Sequence, residues 1–336
     1  MKRNWLWLAG PWALFIVLAI GWVTYWHVAA AEAERRIQSF LTEQQSRGAN
    51  ASIDRIVRHG FPVMLRLELQ DVNYGPARGG WQMATQRADL HLNLLNPQHV
   101  TLEAEAPIAF QRAGGTVTNV TADTLIATLR TSNGALATAG IEADNLTLDD
   151  PVEEGVLTAR KIVLSIRPDP RVSGEYQVAF DAQALTLPRP VRSFEGLGQD
   201  VQALRAAIVV EQGAALLQTS PGDPLAPWRE ANGKLRFDAL VLNWGALQST
   251  GTGEGGLDDQ RRLQGILRLP IDRPGPVFAA IANGPDVDED ARNGLGLLAT
   301  AYMLSGDDIN LDVEANNGVL RLEGVTVRSL PPVYGD

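Results

Sequence analysis

The chain has 336 residues, of which 45% are hydrophobic, and this is typical of one large or two ordinary globular domains. Its formal net charge of −10 disfavours nucleic acid and anionic headgroups as partners. The sequence contains no cysteine, which excludes disulfides, thiolate zinc sites, iron–sulfur clusters and a cysteine nucleophile.

The first predicted element is a transmembrane helix over residues 5–28, after a cytoplasmic N-terminus of residues 1–4. The helix segment lacks Asp, Glu, Lys and Arg, and a helix of this length spans about 36 Å. Lys2 and Arg3 precede it, so the positive-inside rule leaves the N-terminus in the cytoplasm and exports the rest. The predicted membrane-anchor residues are Trp5, Trp7, Phe15, Trp22, Tyr25 and Trp26.

A cleaved signal peptide is the alternative for this segment, because residues 29–33 (AAAEA) offer small side chains to a peptidase. The apolar core of such a peptide is usually only about 7–15 residues long, which favours a retained anchor. Both interpretations carry the rest of the chain across the membrane.

Residues 29–49 predict a helical stalk. Ile37, Phe40 and Leu41 follow helical spacing among charged residues, and Gly48 is a suitable end for the helix. We expect this apolar stripe to dock on the body of the protein.

From residue 50 to residue 187 the hydrophobic period changes from 3.6 to 2, which predicts a β-rich half. Leu65, Leu67 and Leu69 alternate with polar residues. The same alternation occurs in residues 90–94, 100–104, 125–129, 162–166 and 176–180. One apolar face and one polar face are typical of antiparallel sheets.

The remainder predicts a connection over residues 188–228 and a second β-rich half over residues 229–336. The connection includes one predicted helix, because Val201, Leu204 and Ile208 have helical spacing. Short helices are predicted near residues 276–283 and 291–304. The fold class is therefore mainly β (α+β), with an N-terminal transmembrane helix and a helical stalk followed by large, curved, mostly antiparallel sheets and a few short helices.

Gly251, Gly253 and Gly256 satisfy the G-x-G-x-x-G spacing of a dinucleotide-binding loop. That loop requires a helix after the glycines, but a strand pattern follows, and Glu254 would place a negative charge beside the phosphates. We interpret the segment as a glycine-rich strand end followed by a polar turn.

Asp286, Asp288 and Asp290 occupy alternate positions of a possible calcium loop, but Ala291 stands where that loop requires glycine and Leu297 where it requires glutamate. We interpret them as an acidic helix start, with a loose calcium site as the alternative. The histidines have no metal-ligand spacing, and no serine-hydrolase motif occurs. No catalytic, metal or cofactor-binding residue is predicted, and we expect no cofactor.

A set of tryptophans, glycines and neighbouring residues in the last third of the chain forms a recognisable signature. It consists of Trp228, Gly233, Trp244, Gly245, Gly251, Gly253, Leu257, Asp258 and Gly265. With the segment at residues 59–69 and the closing LPPVYGD, the chain resembles an uncharacterised membrane-anchored family of Gram-negative bacteria, domain of unknown function 2125. More distantly, it is similar to AsmA-like proteins, which extend a β-rich groove from the inner membrane into the periplasm and are implicated in envelope lipid homeostasis.

The resemblance implies a single-pass inner-membrane protein with a cytoplasmic N-terminus and a periplasmic body, and it supplies no catalytic residues. We expect a non-catalytic protein that contacts the lipid bilayer through residues 5–28 and binds lipid or another hydrophobic envelope component. One alternative is a structural or regulatory module that recruits an envelope protein complex through a sheet edge. Another is a periplasmic hydrolase without a visible motif. The apolar faces are also compatible with two β halves that simply pack on each other.

Overall fold

The computed structural model describes residues 5–77, 80–112, 115–151, 155–218 and 223–334. The chain divides into two compact units, residues 1–133 (unit 1) and residues 134–336 (unit 2). The strands pair antiparallel in both units, which confirms the mainly β fold class.

Unit 1 consists of one long helix and a set of antiparallel strands. The elements are α1 (Trp5–Ser46), β1 (Asn50–Ser52), β2 (Arg55–His59), β3 (Leu65–Gly75), β4 (Trp81–Asn93), β5 (Asn96–Ala104), β6 (Ile108–Arg112), β7 (Val117–Thr121) and β8 (Thr124–Ser132). Strand β3 pairs with β1 and β2 along one edge and with β4 along the other. Strand β4 pairs with both β5 and β6, β5 also pairs with β8, and β6 with β7.

The second half of α1 forms the core of unit 1 together with β3 and β4. Leu65, Leu67 and Leu69 are 1%, 0% and 7% exposed, so the alternation predicted for β3 is confirmed. The helix residues that pack on them are Trp22, Trp26, Ala29, Ala30, Ala33 and Ile37. These lie three or four residues apart on one helix face, and the alanines allow a close approach to the sheet.

The docked stripe of α1 thus begins earlier than the predicted stalk. Ile37 packs as expected, but Phe40 is 50% exposed. Residues 22–28, which belong to the predicted transmembrane segment, supply the tryptophans of the docked stripe instead.

Unit 2 is a meander in which each strand pairs antiparallel with its neighbours in the chain. Its strands are β9 (Ala135–Asp149), β10 (Val156–Pro168), β11 (Tyr176–Thr186), β12 (Asp200–Val210), β13 (Leu235–Trp244), β14 (Leu247–Leu257), β15 (Leu263–Ile271), β16 (Ile309–Asn316), β17 (Val319–Leu322) and β18 (Val325–Ser329). Its helices are α2 (Ala226–Glu230), α3 (Gly275–Ala282) and α4 (Glu289–Ser305), and two short 3₁₀ helices span Arg192–Leu197 and Gly213–Leu217. Helices α3 and α4 confirm two sequence predictions.

The helix predicted within residues 188–228 is wrong, because its apolar residues belong to strand β12. Its pairing with β13 shifts register between Val201 and Ala203 and again between Ala207 and Ile208. The first shift inserts an extra residue, Gln202, into β12 and interrupts the period of two between Val201 and Leu204. The spacing of four between Leu204 and Ile208 fits a strand as well as a helix, so the whole set resembles a helical pattern. The region predicted as a connection therefore carries a central strand of the meander.

Helices α3 and α4 cover the last strands of the meander. Phe278 and Leu295 are completely buried, and Ile271 and Leu311 beneath them are 1% and 2% exposed. A smaller core surrounds Trp228 of α2, which packs with Val210 and Ala215.

Candidate functional site

The two signature tryptophans of unit 2 hold loops through hydrogen bonds to main-chain carbonyls. Trp228 is 5% exposed, and its Nε1 donates to the Glu211 carbonyl at 2.8 Å. A Cβ at Gly233 would lie 2.1 Å from Trp228 Nε1, so only glycine fits against the indole. Nε1 of Trp244 donates to the Gly198 carbonyl at 2.9 Å. The signature tryptophans are therefore structural.

Gly245, which follows Trp244, occupies the tight turn between β13 and β14. Its φ is +55°, and a Cβ there would lie 2.4 Å from the Leu197 carbonyl oxygen. Both the backbone conformation and the close contact require glycine.

The signature glycines of β14 and β15 allow these two strands to approach closely. A Cβ at Gly251 would lie 2.2 Å from the Arg268 carbonyl oxygen, and one at Gly253 would lie 2.4 Å from that of Ile266. In β15, a Cβ at Gly265 would lie 2.3 Å from the Glu254 carbonyl oxygen.

The prediction of a strand end followed by a polar turn holds for Gly256, the penultimate residue of β14 (Leu247–Leu257), whereas Gly251 and Gly253 lie further inside the strand. A strand follows them, as predicted. Because the element after these glycines is strand β15 (Leu263–Ile271) and not a helix, the segment lacks the geometry of a dinucleotide phosphate loop.

Asp258 organises the turn between β14 and β15. Its carboxylate accepts hydrogen bonds from the backbone N–H groups of Gln260 and Arg262, both at 2.9 Å, and from Arg262 Nε at 2.8 Å. Burial raises the pKa of Asp258, but these hydrogen bonds outweigh it and the pKa is lowered. Leu257, the preceding signature residue, packs against the core around Trp228.

The end of the described chain is fastened to helix α2. The Tyr334 hydroxyl donates to Asp223 Oδ1 at 2.6 Å, and Arg229 contacts both partners, at 3.1 and 3.0 Å. The hydrogen bond from Tyr334 is the main reason that the pKa of Asp223 is lowered. A polar cleft of about 410 Å³ beside this cluster includes Lys234 and Glu254, whose charged groups lie 3.9 Å apart. These two charged groups are thus paired with each other.

The acidic segment before α4 starts a helix, as predicted. Asp288 caps α4 by accepting a hydrogen bond from the Ala291 N–H at 2.7 Å, and Asp286 pairs with Arg192 at 3.2 Å. His59 and His91 each face one glutamate. The described residues contain no group of three or more His, Asp or Glu arranged to hold a metal ion.

Aromatic residues at the middle of α1 bind the loops of unit 1. Nε1 of Trp22 donates to the Pro62 carbonyl at 2.7 Å, and Nε1 of Trp26 donates to the Met64 carbonyl at 3.0 Å. The Tyr25 hydroxyl donates to the Leu94 carbonyl at 2.9 Å. These predicted membrane-anchor residues are therefore part of the packed body.

The preceding part of α1 exposes its apolar side chains. From Trp12 to Ile20 the large hydrophobic residues are 54–68% exposed, and Phe15 is one of them. The side chains of Trp5 and Trp7 lie outside the described part of the structure. Among the described helices, α1 is the one that is long and apolar enough to cross a membrane, by length and composition.

One face of strands β9–β12 is apolar, and its residues are in register from strand to strand. Leu164 of β10 lies opposite Ile141 and Phe180, and Phe180 lies opposite Ala206. Residues at alternate positions along each of these strands extend the same face, which we call the open face. Its large members are Ile141, Ile162, Leu164, Ile166, Val178, Phe180, Leu204 and Ile208.

The open face is incompletely covered. Ile141 is 46% exposed, and the other large members are half-buried. Among the described residues of this set, only Val178 packs against a buried core. A half-buried apolar surface several strands wide can receive a hydrophobic partner.

The opposite face of the same strands is charged. Lys161 forms ion pairs with Glu142 and Asp144, and Arg205 pairs with Asp181 at 3.3 Å. Strands β9–β12 therefore have one polar face and one apolar face, as the alternation predicted.

Unit 1 has an apolar cleft of about 300 Å³ between α1 and strands β4 and β5. Tyr25, Ile37, Leu90 and Val100 are among the side chains that line it. This cleft and the open face are two hydrophobic surfaces of the described residues that can receive a ligand.

Comparison with known proteins identifies one family. No curated protein and no solved structure matches the chain. One family model matches residues 26–331, which includes the docked half of α1 and both units. The chain belongs to the family of uncharacterized proteins conserved in bacteria, DUF2125.

Proposed function

We propose that this chain is a non-catalytic, single-pass protein of the bacterial inner membrane whose periplasmic body binds lipid acyl chains on the open face. The observation that carries the proposal is the run of half-buried apolar side chains on β9–β12, centred on Leu164 and Phe180. A hydrophobic ligand would remove this area from water, at about 25 cal/mol per Å² buried.

A retained anchor, rather than a cleaved signal peptide, is supported by the core of unit 1. Trp26 and Ala30 are 4% and 0% exposed, and both lie on the sheet. Cleavage within residues 29–33 would remove Trp26 and would expose Leu65 and Leu67 to water. Such a loss would destabilise unit 1, which supports the retained anchor.

Lipid is favoured as the ligand because the anchor holds the body beside a lipid source. The large side chains of the open face are all hydrocarbon, and the ion-paired residues Glu142, Asp144, Lys161, Asp181 and Arg205 lie on the other face. The similarity to AsmA-like proteins noted from the sequence is consistent with this choice. Most of the charged side chains in the clusters described above are paired or capping, which supports a binding role over catalysis.

The test is photocrosslinking of the full-length protein, in membranes that contain a photoactivatable phosphatidylethanolamine. Leu164→Lys places a charge on the open face and is expected to abolish most of the labelling. Val163→Lys, the neighbouring position on the same strand, points between Glu142 and Asp181 on the charged face and is the matched control.

Equal labelling of the two variants, or no labelling of the parent protein, would contradict the lipid proposal. A benzophenone amino acid at position 164 distinguishes lipid binding from the alternative, a module that recruits an envelope protein complex. Its crosslinking to a defined envelope protein instead of lipid would favour a recruiting module.

A further inference from the structure

Two loops of unit 1 expose large apolar side chains beside the point where α1 joins the body. Phe61, Val63 and Met64 are 52%, 75% and 52% exposed, and Leu95 in the second loop is 82% exposed. Residues 60–64 and 94–98 contain no Asp, Glu, Lys or Arg. We call these two segments the apolar collar.

The collar is held in a fixed position on α1. The carbonyls of Pro62, Met64 and Leu94 accept the three hydrogen bonds from Trp22, Trp26 and Tyr25. The Phe61 ring also packs edge-on against Trp26, with 5.5 Å between the ring centroids. The exposed side chains therefore surround the helix at the level of residues 22–26.

That level corresponds to the thickness of a bilayer. Helix α1 begins at Trp5, and at a rise of about 1.5 Å per residue it has covered about 31 Å at Tyr25. The hydrocarbon core of a bilayer is about 30 Å thick. A helix that enters the membrane at Trp5 thus leaves it where the collar is bound.

We propose that the apolar collar inserts into the outer boundary of the same bilayer that α1 spans, so that unit 1 is seated on the membrane surface. This inference rests on the proposed anchor but is independent of lipid binding on the open face. Because the two segments carry no charge, insertion depends on apolar burial and occurs on zwitterionic lipid. The bilayer then covers Val63 and Leu95, which water otherwise contacts.

The experiment uses the full chain in phosphatidylcholine liposomes and the absence of native cysteine. Single cysteines replace Val63, Leu95, Val17 or Phe40, and each is labelled with an environment-sensitive fluorophore. Phe40 is the matched control, because it is 50% exposed on the same helix and lies about 22 Å beyond Tyr25 along the axis.

We expect labels at Val63→Cys and Leu95→Cys to shift to shorter emission wavelengths and to lose emission with lipids spin-labelled near the headgroup. The label at Val17→Cys should lose emission with lipids spin-labelled deep in the acyl chain, and the label at Phe40→Cys should behave as in water. High salt should leave all four results unchanged.

If positions 63 and 95 behave like position 40 while position 17 is quenched, the collar proposal is wrong and the anchor stands. If position 17 is not quenched, the membrane anchor itself is wrong. Agreement between two independent loops guards against a local disturbance caused by either substitution.

Discussion

Strands β9–β12 and β15–β18 belong to one meander, but their apolar faces differ in how far they are buried. In the later strands Leu269, Ile271 and Leu311 are 4%, 1% and 2% exposed beneath α3 and α4. In the earlier strands the equivalent side chains, such as Leu164 and Phe180, are only half-buried. The same sequence alternation therefore accompanies a completed core in one region and an open face in the other.

The difference has an energetic consequence. Complete burial of a large hydrophobic side chain contributes about 1.5–3 kcal/mol. In β15–β18 this stabilisation comes from burial beneath α3 and α4 of the same chain. In β9–β12 part of the apolar area stays exposed, so a bound partner can gain the corresponding free energy. Stability and binding should consequently respond to mutations at opposite ends of the meander.

The largest expected effect comes from truncating one phenylalanine in each region. Phe278 of α3 is completely buried and stacks on Tyr302, with ring centroids 5.8 Å apart. Phe278→Ala should lower the free energy of unfolding by about 3–5 kcal/mol. Phe180→Ala should lower it by about 1–2 kcal/mol, because the side chain is only half-buried. Urea unfolding followed by tryptophan fluorescence measures both, and equal losses would mean that the open face is in fact covered.

A second comparison concerns two glycines of β14, between the two regions. Gly253→Ala would place a Cβ 2.4 Å from the Ile266 carbonyl oxygen, so it should destabilise the protein by about 2–3 kcal/mol. Gly255→Ala is the matched control on the same strand, because its nearest contact would be 3.5 Å. It should be neutral or stabilising by up to about 1 kcal/mol. The melting temperatures of the two variants test this predicted difference. Similar values would show that β14 and β15 can move apart without loss of stability.

The smallest effect concerns Asp169, in the hairpin that joins β10 and β11. Its carboxylate accepts hydrogen bonds from the Arg171 N–H at 2.7 Å and Gln177 Nε2 at 2.8 Å. These bonds, the first above all, outweigh burial and lower the pKa of Asp169 from 3.8 to about 2. Since the folded-state pKa lies below the unfolded value, the stabilisation is complete above about pH 4 and is lost as the pH falls towards 2.

Asp169→Asn should therefore be less stable than the parent at pH 7, and the difference should disappear between about pH 4 and pH 2. The measurement is chemical unfolding of both proteins across this range. Asp181→Asn, on the following strand, is a control for the removal of a carboxylate charge. Asp181 pairs with Arg205 at 3.3 Å on the charged face. A difference that persists unchanged at pH 2 would assign the effect to packing instead of charge.

Much of the fold was predictable because hydrophobic period reports local geometry. The alternation at Leu65, Leu67 and Leu69 identified β3, and two short helices were predicted where α3 and α4 lie. The prediction failed at β12, where an extra residue between Val201 and Leu204 makes the apolar spacing resemble a helical period. A bulge depends on the partner strand, and its effect is invisible in the strand's own sequence.

The candidate site was less predictable. Trp22, Tyr25 and Trp26 have apolar rings with a polar atom, which suits both a membrane interface and a buried contact with a carbonyl. Only the placement of Pro62, Met64 and Leu94 beside the helix shows that the polar atoms of these rings contact carbonyls of unit 1. Gly251 and Gly253 likewise carry no local sign of how closely Arg268 and Ile266 approach them.

The sequence by itself determined a membrane-length apolar helix, an antiparallel β body without cysteine chemistry, and which face of most strands avoids water. Those properties follow from composition and from the periods of 3.6 and 2, which are local. Only the tertiary structure decided that α1 completes the core of unit 1, that α3 and α4 cover β15–β18, and that the face of β9–β12 stays open. These outcomes depend on which distant segments pack together. The hydrophobicity of a residue favours its burial but does not indicate which segment buries it.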